Sequence, residues 1–202
     1  MTFILGMAGG TASGKSTLAQ AVRDALGPRV LHINHDRYYK SLPLAYRNNP
    51  VAYNFDHPDA LDTARLIDNL ADLKSGRPTE LPIYEFPKHA RSPHTERVHP
   101  TEIVLVEGIL ALAEPALCAL YDHAVYVDTP ADIRLMRRVR RDSQKRGRTP
   151  LQVLDQYEAT VRPMHEQFVA PSAQRAQQVV SGTAPIPQLV QSVLAALQAH
   201  GV

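Results

Sequence analysis

A glycine-rich segment near the start of the chain carries the residue types that bind a nucleoside triphosphate. Gly9–Ser16 reads Gly-Gly-Thr-Ala-Ser-Gly-Lys-Ser and matches the G-x-x-x-x-G-K-[ST] pattern of the P-loop. Glycines allow a tight turn whose backbone N–H groups point at phosphate oxygens. Lys15 can bring a positive charge to the β and γ phosphates, and the Ser16 hydroxyl can bind Mg²⁺. We therefore expect ATP to contact Gly9, Gly10, Thr11, Ala12, Ser13, Gly14, Lys15, Ser16 and Thr17.

Two acidic residues follow apolar runs that predict strands. Asp36 comes after Val30–Asn34, and Glu107 comes after Ile103–Val106. Because the carboxyl ends of parallel strands meet at one edge of a sheet, both carboxylates are expected beside the P-loop. Asp36 has aromatic neighbours in the sequence, so we expect it to be the base that accepts a proton from an organic hydroxyl, while Glu107 reaches Mg²⁺. The alternative for either residue is an acid that only caps a turn.

The positive charge of the chain is concentrated in one segment. The formal net charge is +2, but Arg134–Arg148 holds seven arginines and Lys145 against a single acid, Asp142. Proteins that bind nucleic-acid polymers usually spread positive charge over a whole face, so this distribution favours a compact polyanion such as a nucleotide. We expect a basic helix that closes over the phosphates as a lid, and a solvated basic face is the alternative.

Short apolar runs alternate with helical patterns, which is typical of an α/β fold with a largely parallel sheet. The P-loop lies between a predicted strand over Thr2–Met7 and a predicted helix over Lys15–Leu26. Further strands are predicted at Val30–Asn34, at Ile103–Val106, at His123–Val127 and near Val179 and Val180. Further helices are predicted from Leu61 to Gly76, after Pro130, from Pro150 toward Val161 or beyond, and from about Pro187.

The predicted fold class is therefore an α/β P-loop fold of the nucleoside- and nucleotide-kinase type, with helices flanking the sheet. Residues 1–202 are expected to form a single domain. Two segments are expected to depart from the sheet. Residues 78–100 contain five prolines and short strand-like pieces, which predict a small β excursion, and residues 134–150 form the lid.

Composition excludes several classes of protein. Hydrophobic residues make up 44% and charged residues 21% of the chain, which argues against intrinsic disorder. The apolar stretch from Ile103 to Leu120 is interrupted by two glutamates, so no segment offers the roughly 18 uncharged residues of a spanning helix. Cys118 is the only cysteine, which excludes an intrachain disulfide and a zinc site of several thiolates. The start lacks a basic leader, and we expect a cytoplasmic protein without membrane or nucleic-acid partners.

Other motifs narrow the class of P-loop protein. The sequence lacks the Asn-Lys-x-Asp tetrapeptide of guanine-specific switches and the Leu-Ser-Gly-Gly signature of transporter ATPases. The combination of Lys15, Ser16, Asp36 and Glu107 argues against a nucleotide-sensing regulator without catalysis, because a sensor needs no base. A small-molecule kinase is the favoured interpretation. A kinase of another small alcohol, such as pantothenate or a sugar phosphate, is the alternative within this class.

Six segments, in this order along the chain, resemble the uridine kinase (uridine–cytidine kinase) family. They are Gly9–Ser16, His35–Lys40, Asn54–Ala60, Pro82–Phe86, Val106–Leu110 and Arg137–Arg148. The resemblance covers roughly residues 3–172. It implies ATP-dependent phosphorylation of the 5′-hydroxyl of uridine and cytidine to UMP and CMP, with Mg²⁺, in pyrimidine salvage. It also implies a homo-oligomer, commonly a tetramer.

The resemblance also implies roles for individual residues. Asp36 would act on the ribose 5′-hydroxyl, while Asp56 and Arg138 would hold the 2′- and 3′-hydroxyls. The nucleoside pocket would be completed by Tyr39, Tyr84, Phe86, His89, Arg148 and Gln156. Arg141 and Arg146 would contact phosphates and act in catalysis together with Asp36 and Lys15. A neutral imidazole at His89 can donate to O4 of uracil or accept from the amino group of cytosine, although taken alone it would be an ordinary surface histidine.

Two segments differ from the pattern of the resembled family. Glu85 stands where relatives more often have Asp, and Pro87-Lys88 shifts the approach to His89. Residues Gln174–Thr183 lack the basic-Tyr-Ala-Asp run and the later Pro-Arg-Gly that relatives usually show. Because this loop lies where P-loop kinases tend to hold the donor base, the choice between ATP and GTP stays open at this point, as does any subunit contact made by the strand.

Overall fold

A five-stranded parallel sheet forms the centre of the protein. The structure is a computed structural model that describes residues 2–202, apart from the side chain of Val51. The strands are β1 Phe3–Ala8, β2 Val30–Asn34, β3 Thr79–Glu85, β4 Ala90–Val98, β5 Ile103–Glu107, β6 His123–Asp128 and β7 Gln178–Ser181. The central sheet has the order β2-β5-β1-β6-β7, whereas β3 and β4 form a separate antiparallel pair.

Helices cover both faces of this sheet. They are α1 Lys15–Leu26, α2 Thr63–Lys74, α3 Pro115–Cys118, α4 Ala131–Lys145, α5 Pro150–Gln156, α6 Arg162–Met164, α7 Ala170–Ser172 and α8 Ile186–Ala199. From α5 to α7 the backbone stays helical through two wider π turns, Tyr157–Val161 and His165–Val169. No helix within residues 2–202 combines the length and the apolar character needed to cross a membrane.

Strand side chains alternate between two buried cores, one on each face of the sheet. Leu5 shares a core with Leu18 of α1 and Val193 of α8. Its neighbour Ile4 belongs to the other core, together with Leu70 of α2. Because both faces are covered, every residue of β1 and β5 is buried, and both strands are apolar apart from Glu107 at the end of β5. This burial stabilises the strands that carry the P-loop and Glu107.

The parallel register places three strand ends at the same level. Glu107, the last residue of β5, is paired in register with Met7 of β1 and with Asn34 of β2. The P-loop begins at Gly9, directly after the last residue of β1, and Asp36 lies in the turn that follows β2. The expected convergence of both acids on the edge of the P-loop follows directly from this register.

The predicted fold class and the predicted order of elements are confirmed. The predicted strands begin or end within one residue of those observed: β1 starts at Phe3 rather than Thr2, and β5 includes Glu107. The helix predicted from Pro150 continues past Val161 to Ser172. Its two π turns each precede a proline, Pro163 or Pro171, whose ring disfavours an ordinary α-helical turn on its N-terminal side.

The proline-rich segment forms the predicted β excursion. Strands β3 and β4 pair in antiparallel fashion, with an irregularity between Pro82 and Tyr84. The connection turns through Phe86–Lys88, and His89 follows with a φ of 48°. The hairpin is attached to the rest of the chain through Arg91, which donates to the backbone carbonyls of Tyr38 and Tyr39 at 2.8 and 3.0 Å.

The turn between β7 and α8 packs directly against the P-loop. Gly182 N donates to the carbonyl of Asp128 at 2.6 Å. A Cβ atom at Gly182 would lie 2.1 Å from Thr129 Oγ1 and 2.3 Å from the Ser13 carbonyl oxygen. Only a residue without a side chain fits here, because the backbone of Ser13 cannot move away without changing the shape of the P-loop.

We expect Gly182→Ala to destabilise the fold by about 1–3 kcal/mol, the usual range for overpacking a tight site. Urea denaturation, with the midpoint and slope fitted together, measures this change. The exposed neighbour Thr183 provides the matched control, because Thr183→Ala loses only a surface hydroxyl contact with Ser181. Equal midpoints for the two variants would show that the turn moves freely away from the P-loop.

Candidate active site

The backbone of the P-loop takes a conformation that glycine makes possible. Gly9 and Gly14 have φ angles of 153° and 103°, which L side chains rarely adopt. A Cβ atom at Gly9 would lie 2.6 Å from the Val127 carbonyl oxygen. Ser13 N donates to the Gly10 carbonyl at 3.0 Å and closes the turn. Since α1 begins immediately after Gly14, the loop and the positive end of the helix form an anion-binding site.

Glu107 connects the P-loop to the end of β5. It is 2% exposed, accepts a hydrogen bond from Ser16 Oγ at 3.1 Å and lies 3.7 Å from Lys15 Nζ. The Ser16 hydroxyl and the Glu107 carboxylate are hard oxygen donors of the kind that Mg²⁺ prefers. No group of three or more His, Cys, Asp or Glu side chains within residues 2–202 could hold a metal ion. Mg²⁺ is usually bound by one or two protein oxygens together with substrate phosphates, so these residues fit it.

Asp36 is the second acid at this edge. Its backbone N–H donates to the side chain of Asn34 at 2.8 Å, which fixes the turn after β2. Burial raises the pKa of Asp36 to about 6; the charge of Lys15 opposes this shift, and the charges of Glu107 and Asp56 add to it. A carboxyl group with a pKa near the working pH is suited to accept a proton during catalysis.

Arg138 connects the P-loop with α5. It is 5% exposed, and its two terminal nitrogens donate to Thr11 Oγ1 at 3.0 Å and to Gln156 Oε1 at 2.8 Å. Arg148 Nη1 donates to the same Gln156 oxygen at 2.5 Å. Burial raises the pKa of Asp56, although the charges of Arg138 and Arg148 lower it in part. The structure thus brings together four of the residues predicted to bind the nucleoside.

Aromatic rings form a cluster next to Asp36. Tyr39 lies between Tyr84 and Phe55, with both ring centroids 5.6 Å away. Phe55 stacks on His89 at 5.2 Å, and Tyr84 contacts Phe86 at 5.1 Å. Burial, followed by the charge of the nearby Asp36, raises the pKa of the Tyr39 hydroxyl. Phe86 is 54% exposed and lies at the rim of the cluster.

Comparison with known proteins identifies the family. A family model described as "Phosphoribulokinase / Uridine kinase family" matches residues 4–185. The chain belongs to this family. The kinase is 44% identical over 197 residues to a protein named uridine kinase from Chloroflexus aggregans, covering 97% of this chain and 94% of the relative. It is 42% identical over 180 residues to a uridine kinase from Staphylococcus epidermidis, covering 89% and 87% of the two chains.

Solved structures with the same fold are more distant in sequence. A putative fructose transport system kinase from Silicibacter superposes on the kinase with a TM-score of 0.70 at 18% identity, covering 89% of both chains. A phosphoribulokinase from Rhodobacter spheroides gives a TM-score of 0.65 at 12% identity, covering 92% of this chain and 74% of its own. A possible uridine kinase from Bacillus stearothermophilus gives 0.56 at 19% identity, covering 88% of both. These similarities establish the fold.

Two arginines of the basic segment contact backbone carbonyls in or next to the P-loop of the kinase. Arg137 Nη1 donates to the carbonyls of Ser13 and Gly182 at 3.2 and 3.0 Å. Arg134 is 4% exposed, and its Nε donates to the Thr129 carbonyl at 3.0 Å. The alternative of a solvated basic face is therefore wrong for the start of α4. The sequence analysis did not predict either contact. The signal available was proximity in the helix, because Arg134 lies four residues and Arg137 one residue before Arg138.

Two more of the predicted residues lie at the end of α4 and just after it. Arg141 and Arg146 both contact the buried Asp142, Arg141 through a hydrogen bond of 2.8 Å and Arg146 at 3.6 Å. Phe55, which was not singled out from the sequence, stacks on His89. Phe55 directly precedes Asp56 in the segment Asn54–Ala60, and this position was the signal that could have identified it.

Burial of the Asp36 charge predicts a stability gain when that charge is removed. The folded-state pKa of about 6 lies above the ordinary 3.8, so the native protein binds this proton more tightly than the unfolded chain does. The resulting stabilisation is complete below the ordinary pKa and is lost as the pH rises through about 6. At neutral pH the buried carboxylate then costs about 1–3 kcal/mol.

Asp36→Asn is therefore expected to raise Tm by about 3–6 °C at about pH 7.5, with little gain at about pH 4. Differential scanning calorimetry at both pH values measures this difference. Asp132→Asn removes an exposed acid from α4 and serves as the control, for which no rise is expected. A gain of the same size at both pH values would contradict the assignment of the effect to the charge of Asp36.

Proposed function

We propose that this kinase transfers the γ-phosphoryl group of ATP to the 5′-hydroxyl of uridine and cytidine, producing UMP or CMP and ADP, as in pyrimidine salvage. The relatives named uridine kinase, at 40–44% identity over 88–97% of the chain, support this proposal. The observation that carries it is the juxtaposition of Asp36 with the aromatic cluster at the edge of the P-loop. A planar, uncharged base fits aromatic rings, whereas a phosphorylated acceptor would need further cations there.

In the proposed reaction Asp36 acts as the general base. Its carboxylate accepts the proton of the ribose 5′-hydroxyl while O5′ forms a bond to the γ-phosphorus. The bond between that phosphorus and the β–γ bridging oxygen breaks, and the electron pair leaves with ADP. Because the pKa of Asp36 is about 6, the carboxylate is mostly ionised at neutral pH and ready to accept the proton.

The proposed Mg²⁺ would be held by Ser16 and Glu107 together with the phosphates of ATP. When bound, the ion neutralises negative charge on the β and γ phosphate oxygens. Lys15 supplies a further positive charge from the P-loop, and its ion pair with Glu107 keeps it at this edge. Arg141 and Arg146 approach from the lid, where they are 34% and 53% exposed and can reach a phosphate.

The ribose is proposed to lie between the P-loop and α5. Arg138 and Asp56 offer a donor and an acceptor of opposite charge, which suits a vicinal diol. A 2′-deoxyribose would leave part of this buried polar pair without a partner, at a cost of about 1–3 kcal/mol. Uridine is therefore expected to be preferred to 2′-deoxyuridine.

Assembly and location are also proposals. A homo-oligomer, with the tetramer as the expected form, follows from the family resemblance, and light scattering of the purified protein measures it. A cytoplasmic location agrees with a single cysteine, Cys118, which lies partly buried and unpaired in the described chain.

A coupled ADP-release assay against a panel of acceptors tests the proposed reaction. Uridine and cytidine are expected to be phosphorylated with ATP and Mg²⁺, whereas ribose and pantothenate are not. Asp36→Asn is expected to reduce uridine turnover by about 10³-fold or more while uridine binding stays measurable by calorimetry, since loss of a positioned base removes about 10²–10⁴-fold of catalysis. Turnover of pantothenate or a sugar phosphate without turnover of uridine would assign the kinase to another alcohol.

His89→Leu tests the base pocket. We expect KM for uridine and cytidine to rise by about tenfold or more, because the hydrogen bond to the pyrimidine is lost while the stack on Phe55 is largely replaced. KM for ATP is expected to stay within about twofold. His94 lies exposed on the same hairpin, so His94→Leu is the matched control. An unchanged nucleoside KM in His89→Leu would remove His89 from the pocket.

A further inference from the structure

Asp142 is a fully buried carboxylate that lies among three arginines of the lid segment. Its exposed fraction is 0%. Arg141 donates from Nε to Oδ1 at 2.8 Å, and Arg146 Nε lies 3.6 Å from the same oxygen. Arg138 Nε lies 3.7 Å from the other oxygen, Oδ2. In all three pairs the contacting atom is Nε, the guanidinium nitrogen nearest to the side-chain stem.

This geometry leaves the terminal nitrogens of each guanidinium group available for other partners. Arg138 uses both of its terminal nitrogens, for Thr11 and for Gln156. The terminal nitrogens of Arg141 and Arg146 make no hydrogen bond within the part of the chain that the structure describes. The two terminal nitrogens of each of these arginines therefore remain as donors for a ligand at the lid.

The position of Asp142 is unfavourable for the helix that contains it. It lies in the last turn of α4, where the negative end of the helix dipole disfavours an acid. Its backbone carbonyl accepts N–H groups from Arg146 at 3.1 Å and from Arg148 at 3.3 Å, so the turn after the helix closes on the same residue. The buried carboxylate is explained by the arginines around it and not by helix stability.

We infer that Asp142 is a positioning residue: it holds Arg141 and Arg146 through their Nε atoms and directs their free terminal nitrogens toward the transferring phosphoryl group. The inference rests on the proposed phosphoryl transfer. Three converging cations repel one another, and an anion among them offsets much of that repulsion. Donors that are already oriented need not reorganise when negative charge spreads over the γ-phosphoryl oxygens in the transition state.

A simpler role, that of a counter-charge alone, makes the opposite prediction. Burial disfavours the charged form of Asp142, but the hydrogen bond and charge of Arg141, with the charges of Arg146 and Arg138, outweigh burial and lower its pKa. Asp142 is thus an anion at neutral pH. If it only reduced the positive potential of the lid, its neutralisation would strengthen ATP binding and leave turnover equal or faster. A positioning role predicts slower turnover.

Asp142→Asn keeps the size of the side chain and removes its charge. We expect kcat to fall about tenfold or more, while Kd for MgATP changes by less than about threefold, because oriented donors act mainly in the transition state. Binding of MgADP with fluoroaluminate, a mimic of the transferring phosphoryl group, is expected to weaken about tenfold or more. This binding measurement needs no acceptor, so it tests Asp142 even if uridine is not the substrate.

Coupling to the arginines separates positioning from a loss of structure. In a background of Arg141→Gln and Arg146→Gln, Asp142→Asn is expected to lower kcat by less than about threefold further, because the groups that it orients are gone. A purely structural defect would reduce the active fraction equally in both backgrounds. The matched control is Asp132→Asn, an exposed acid on the same helix, for which kcat is expected to stay within about twofold.

Unchanged or faster turnover in Asp142→Asn, or equal losses in the two backgrounds, would overturn the inference. If Asp142→Asn is unfolded at the assay temperature, Asp142→Glu replaces it, because glutamate keeps the charge and displaces the carboxylate by one methylene group. Positioning then predicts a fall in kcat with a thermal midpoint close to that of the unchanged protein. A kcat equal to that of the unchanged protein in Asp142→Glu would overturn the inference as well.

Discussion

The ion pair between Lys15 and Glu107 is the contact on which the rest of the site depends. Glu107 is 2% exposed, and a carboxylate buried at that level without a partner is strongly destabilising. The Nζ atom of Lys15 at 3.7 Å and the hydroxyl of Ser16 at 3.1 Å supply those partners. The P-loop is therefore tied to β5 by charge as well as by the pairing of β1 with β5. A general base for the acceptor hydroxyl must be positioned relative to this ion pair. The register of β2 with β5 places Asp36 at the same edge of the sheet.

The site concentrates buried charge, and that concentration has a consequence for stability. Asp36, Asp56, Arg138 and Asp142 each have a pKa displaced chiefly by burial or by the charges around them. The two hydrophobic cores on either side of the sheet supply the stability that these groups reduce. Burial also raises the pKa of Asp36 toward neutrality, which suits the proposed role of this residue as a base, because a more exposed carboxylate would be a weaker base.

Much of the fold could be predicted from the sequence because its parallel strands are buried on both faces. Runs such as Phe3–Ala8 and Ile103–Val106 are apolar at every position or nearly so, and the glycines and prolines between elements mark their ends. The P-loop residues and both acids could be predicted to lie at one edge of the sheet because their chemistry requires a fixed spacing or a strand end. Strand order could not be predicted, since it depends on pairing between segments far apart in the chain.

The arginines show where prediction from sequence fails. Seven arginines within residues 134–148 are chemically identical in the sequence, and helical spacing alone cannot say which of them meet protein and which meet ligand. The distinction comes from distant contacts: Arg137 reaches carbonyls of Ser13 and Gly182, which lie far from it and from each other along the chain. Phe55 was missed for a related reason, because its stacking on His89 joins two loops that only the fold brings together.

Two arginines in the first part of α4 are buried, and two at its end and just beyond it are partly exposed, which limits how the proposed lid can move. Arg134 and Arg138 are 4% and 5% exposed, whereas the side chains of Arg141 and Arg146 are 34% and 53% exposed. A rigid-body swing of the whole helix would break the contacts of Arg134 with Thr129 and of Arg137 with Ser13, and buried unpaired cations are costly. The proposed closure over a nucleotide would therefore involve only the last turn of α4 and the turn before α5. The buried carboxylate of Asp142 lies at that boundary, so it joins the buried arginines to those proposed to contact a phosphate.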